Sequence, residues 1–140
     1  MGAVEGAAGP ANARPGAVTA NPGVKTIPYE QVAAIDLPGG SWSRMLVAPS
    51  TVSGNHGSLG YSVFKPGTAT APVSHEVEES AFVVAGRGEL RLDDGAAPFA
   101  AGQALFIPAH TWHAVANTGD EDVIMVFTFP YPDYPPTQRR

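Results

Sequence analysis

The chain has 140 residues, 44% of them apolar, with sixteen glycines, fourteen prolines and a formal charge of −5. That length supports one core but not comfortably two, and the glycine and proline content favours short strands and turns over long helices. The absence of cysteine excludes disulfides, thiolate catalysis and sulfur-ligated zinc; no basic stripe suits nucleic acid, and no apolar run approaches the ~18 residues that span a bilayer.

Residues 1–23 are nearly all Ala, Gly, Pro, Val and Asn. They offer little side chain to bury and are expected to form a flexible arm with no signal-peptide pattern. Only "YEQVAAI" (29–35) has helical character, and it is short. Strands are expected at 41–47, 59–64, 80–86, 88–92, 103–108, 113–117 and 122–129, separated by turn chemistry in "APSTVSGNHGS", "KPGTATAP", "DDGAAP" and "NTGDED". So many strands at close spacing predict a single all-β domain over 24–130. Both alternating faces of "DVIMVFTF" are apolar, which predicts a strand covered on two sides. The proline-rich end excludes a helix or central strand. Residues 131–140 are expected as an extended tail laying its tyrosines over a sheet edge or a neighbouring subunit, without a catalytic role.

The densest polar cluster is "VSHEVEES" (73–80). Residues two apart in a strand share a face, so Val73, His75 and Glu79 point one way and Glu76 and Glu78 the other, to solvent. Downstream, "PAHTWHAVAN" supplies His110 and His113, followed by Asn117. The spacing reads Gly67-x5-Val73-x-His75-x3-Glu79-x6-Gly86, then Gly102-x5-Pro108-x-His110-x2-His113-x3-Asn117. In this the chain resembles the cupin superfamily, whose motifs run G-x5-H-x-H-x3–4-E-x6-G and G-x5-P-x-G-x2-H-x3-N. The resemblance implies a single-domain jelly-roll β-barrel whose interior can hold a metal. Val73 stands where the family has its first histidine, and His110 where it has a glycine. Carried over position by position, the ligands are His75, Glu79 and His113.

Two imidazoles and a carboxylate suit an open zinc site or a non-haem iron site, so the expected cofactor is a divalent ion: Zn, Fe, Mn, Ni or Co. His110 is read either as a fourth ligand replacing the lost imidazole, or as a residue that caps the turn before the strand or sits at the pocket mouth as an acid–base group. Glu79 is the other proton-moving candidate. Trp112 and Phe106 are pocket-wall candidates. Arg44 either clamps a substrate carboxylate or is solvated. His56, in a glycine-rich loop, reads as exposed.

The functional expectation is a metal-dependent enzyme acting on a small carbonyl or carboxylate metabolite, with redox-neutral lyase or isomerase chemistry preferred. The alternatives are an iron dioxygenase and a non-catalytic binding or sensing module, the latter favoured by the missing ligand at Val73. A small-molecule substrate, no nucleic-acid or membrane partner, a cytoplasmic location and a homodimer complete the expectation.

Overall fold

Alternating apolar and small residues between glycine and proline turns fold into eleven strands among residues 23–140, which the computed structural model describes. The expected N-terminal arm lies, but for Gly23, outside the described residues. The strands are β1 (Ile35–Asp36), β2 (Trp42–Val47), β3 (Ser58–Phe64), β4 (Val73–His75), β5 (Glu79–Ala85), β6 (Arg87–Leu92), β7 (Gly95–Ala100), β8 (Ala104–Ile107), β9 (His113–Asn117), β10 (Val123–Phe129) and β11 (Thr137–Arg139). They make two antiparallel sheets, a six-stranded one in the order β1-β2-β3-β10-β5-β8 and a five-stranded one in the order β11-β4-β9-β6-β7. The expected all-β jelly roll is the fold found.

The sheets pack face to face because each presents an apolar side. Met45, Val83 and Val123 from the larger sheet meet Leu90 and Phe99 from the smaller one in a single core. Val83 and Val123 are fully buried. Gly60 has a packing role: a Cβ there would overlap the Phe127 ring, which lies across β3. Among the described residues no helix is long and apolar enough to cross a membrane.

The strands differ from expectation in four places. "VSHEVEES" is not one strand: β4 ends at His75, bends follow, and β5 begins at Glu79 in the other sheet. "YEQVAAI" holds only a short 3₁₀ turn, Tyr29–Gln31, before β1. "DDGAAP", read as loop, leads into β7, an edge strand where Pro98 removes no needed donor. The terminal tail contains β11, the opposite edge of that sheet. In β10, the inward residues are buried, whereas Ile124 and Val126 on the outer face are only half-buried.

Candidate metal centre

Three strand ends deliver the ligand candidates. β4 and β9 are neighbours with Val73 opposite His113, so His75, two residues further along β4, stands diagonal to His113 with the ring centroids 5.1 Å apart. β5 brings Glu79 from the facing sheet. His75 and His113 are each 4% exposed. Their Nε2 atoms lie 3.3 and 3.5 Å from Glu79 Oε1, and the ligand atoms of all three residues fall within 4.8 Å of one another.

The rings are held from behind in one tautomer. Thr137 donates its hydroxyl proton to Pro135 O at 2.7 Å, so its oxygen is left to accept from His75 Nδ1–H, also at 2.7 Å. His113 Nδ1 lies 2.8 Å from Thr111 O, a carbonyl that can only accept. Both Nδ1 atoms therefore carry the proton and both Nε2 lone pairs face the Glu79 carboxylate. Three converging acceptors in a buried pocket require a cation between them. The donor set thus fits a divalent metal, with Thr137 and Thr111 as the orienting partners such histidines need.

Without metal, a proton fills this role. Burial pushes the Glu79 carboxyl up, but hydrogen bonds from His113 and His75 and their charges outweigh it and hold Glu79 below the ordinary 4.5. Burial pushes the His113 imidazolium down, but Glu79 and the Thr111 carbonyl outweigh it and hold His113 above the ordinary 6.5.

The trio lies on the wall of a cavity of about 260 Å³. Phe64, Met125, Phe127 and Phe129 make its wall largely apolar, and Ser43 and Ser62, hydrogen-bonded to each other at 2.6 Å, add a polar patch. Tyr134 and Arg139 come from the C-terminal segment. β11 pairs with β4, placing Thr137 opposite His75 and Arg139 opposite Val73. The Tyr134 ring stands edge-on to His75 at 5.4 Å and to Phe129 at 5.6 Å. Sequence reading assigned the tail no part in the site, and the sole signal there was weak: Thr137 and Arg139 share strand parity.

Other candidates fall elsewhere. His110 is exposed, outside the ligand cluster and off the cavity wall, which corrects its reading as a fourth ligand. It occupies a turn with φ of 61°, the left-handed conformation for which glycine is suited, and its N–H donates to His75 O at 2.7 Å. The motif glycines Gly67, Gly86 and Gly102 also take positive φ. Phe106 is 60% exposed on the outer side of β8, because it alternates with the buried Ile107. Trp112 lies under the Arg140 guanidinium at 4.0 Å. Neither residue lines the cavity. Arg44 also turns outward, since Ser43 and Met45 of β2 face in; it stacks on Trp42 at 4.5 Å and donates to Tyr29 O at 2.8 Å. Asn117 is a buried pin: its amide donates to Phe64 O and Glu121 O, both at 2.8 Å. His56 is exposed.

Residues 60–129 match the cupin domain. Over 85 residues the chain is 39% identical to the polyketide synthase CurC of Streptomyces cyaneus and 38% identical to the protein SchB of Streptomyces halstedii. Each match covers 60% of this chain, and 55% and 62% of the respective relative. Among solved structures, the polyketide cyclase RemF of Streptomyces resistomycificus aligns with a TM-score of 0.70 at 22% identity, over 83% of this chain and 84% of that one. An oxalate decarboxylase of Lactobacillus farciminis aligns with the same score at 19% identity, over 79% of this chain and 34% of that one. The domain match spans half of the sequence and both motifs, so the chain belongs to the cupin family.

Proposed function

We propose that the protein is a metal-dependent cupin enzyme that carries out redox-neutral chemistry on a small carbonyl compound, of the cyclising kind for which RemF is named. The observation that carries this reading is the convergence of two bare imidazole nitrogens and a carboxylate on the wall of an apolar cavity. The names of CurC and RemF support a polyketide, whose repeated carbonyls supply both an acidic C–H and an electrophilic carbon.

A divalent metal held by His75, Glu79 and His113 would supply Lewis acidity toward a carbonyl oxygen. The chain's own residues do the rest. Thr137 and Thr111 fix the imidazole planes, and the phenylalanines hold the carbon chain and keep water out. Among the described residues Glu79 is the only carboxylate on the wall, which makes it the candidate to take a proton from carbon and return it to oxygen.

Two other readings rest on specific features. Two histidines and a carboxylate also form the ligand set of iron dioxygenases. Val73 in place of a ligand suits a non-catalytic binding module. Plasma mass spectrometry of wild type, His75→Ala and His113→Ala decides among them. Near-stoichiometric zinc, manganese, nickel or cobalt, lost in both variants, is expected; iron redirects the chemistry to oxygen, and a wild type that cannot be loaded refutes the metal-enzyme reading.

A homodimer is supported by the outer face of the larger sheet, where Phe82, Val84 and Phe106 are 49%, 50% and 60% exposed. A monomer mass in sedimentation would refute it. A cysteine-free chain is compatible with the reducing cytoplasm.

A further inference from the structure

We propose that the cavity is built to receive an apolar molecule carrying a carboxylate, and that Arg139 on the C-terminal strand binds that carboxylate. Arg139 is the sole lysine or arginine on the cavity wall among the described residues. Its neighbours in charge are already committed. Arg140 grips both oxygens of Asp93 at 2.7 and 3.0 Å, Lys65 pairs with Asp122, and Arg91 pairs with Glu89. Arg139 has no carboxylate partner among the described residues; its guanidinium lies 5.9 Å from the centre of the Tyr134 ring.

Strand geometry explains the division of labour between the two terminal arginines. Thr137 and Arg139 of β11 face the cavity side, two residues apart, whereas Arg140, beyond the strand, reaches outward to Asp93 and Trp112. Arg140 holds the tail down, and Arg139, which hydrogen-bonds the Tyr134 side chain, keeps the rest of its five-donor fork without a carboxylate among the described residues.

Position 73 connects this arginine to the ligand trio. Val73 is the cross-strand partner of Arg139 on one side and of His113 on the other, so Arg139, Val73 and His113 form a row across three neighbouring strands. All three line the cavity. Two strand spacings separate the ends of the row by about 10 Å at the backbone. An imidazole at position 73 would stand in that lane. Valine leaves it open and apolar, so one ligand can reach the trio at one end and the guanidinium at the other. Valine where the family has its first histidine and Arg139 across from it on β11 are thus two parts of one recognition device. The inference concerns binding and holds whether or not the cavity turns its ligand over.

The test is calorimetric titration of the full-length, metal-loaded protein with 2-naphthoate and 2-naphthamide, which differ in charge at nearly constant shape. Wild type should prefer the carboxylate by about tenfold, the scale of one charge-assisted contact near the surface, with the preference weakening in salt. Arg139→Gln should lose that preference while keeping metal content and melting temperature, and Arg139→Lys should restore part of it. No preference in wild type, including no measurable binding of either probe, would overturn the proposal. So would an unchanged preference in Arg139→Gln, which would hand the anion to the metal or the histidines. Loss of metal or fold in Arg139→Gln would make the residue structural and overturn it too.

Discussion

The interior of this barrel has two halves threaded by the same strands. β5 carries Val83 in the packed half and Glu79 in the open half; β10 runs from Val123 in the first to Phe127 and Phe129 in the second. Around Val83, Leu90, Phe99 and Val123 the sheets close on aliphatic and aromatic side chains. Around His75, Glu79 and His113 they leave a cavity with titratable groups on its wall. The difference shows how a small barrel can hold three acceptors within a few ångströms of one another. The packed half closes on apolar side chains, and the candidate ligands sit where the strands end and the C-terminal strand lies beside them, with Thr137 against His75.

If the halves are separable in this way, a large cavity in the packed half should cost stability and spare the metal. Phe99→Ala, at a residue 4% exposed, is expected to cost about 3–5 kcal/mol in urea unfolding. Metal per folded molecule should stay at the wild-type level; its loss below the transition would show that the halves are coupled.

Thr137→Val sharpens the same boundary from the other side. It removes the acceptor of His75 Nδ1–H and should lower metal affinity by roughly tenfold to a hundredfold in competition with a chelator. An unchanged affinity would mean that pairing of β11 with β4 alone sets the ring.

The open half should also dominate the pH response of the metal-free protein. His113 is held above its ordinary 6.5, so its contribution is complete below that value and is lost as pH rises through the folded value. Glu79 is held below its ordinary 4.5, so its contribution is present above that value and is lost as pH falls through the folded one. Thermal melts of chelated protein should therefore peak between the two, with Glu79→Gln flattening the curve. Metal affinity should rise with pH through the His113 titration, because metal displaces the proton.

The smallest effect is expected at His110. Its left-handed backbone costs on the order of 1 kcal/mol for a residue with a Cβ, so His110→Gly should stabilise by less than about 1 kcal/mol without changing metal content. A loss of metal there would restore His110 to the site.

How much of this was legible beforehand depends on the range of the contacts. The turn glycines and the strand density are local patterns, and they sufficed for the all-β fold; His75, Glu79 and His113 were grouped by the resemblance to the cupin motifs, and the structure brings them within 4.8 Å of one another. Parity along "VSHEVEES" reached the right pair by an incomplete route, since His75 and Glu79 lie in different sheets and meet across a bend. Phe106 and Trp112 were placed wrongly for the pocket, and the direction of Arg44 stayed open, because side-chain direction depends on where a strand starts and on what lies across from it. The C-terminal contribution was beyond local reading altogether. Thr137 meets His75 from 62 positions away, and nothing in "FPYPDYPPTQRR" says which sheet edge it will complete.

The sequence by itself determined the class of fold and the positions of its tight turns, because each follows from residue type and short spacing, while its resemblance to the cupin motifs implied which three side chains share a site. Only the tertiary structure decided which tautomer those histidines hold, which residues wall the cavity and that the last strand adds Arg139 to that wall. Those properties belong to pairs of groups far apart in the chain, and they exist only once both sheets have closed.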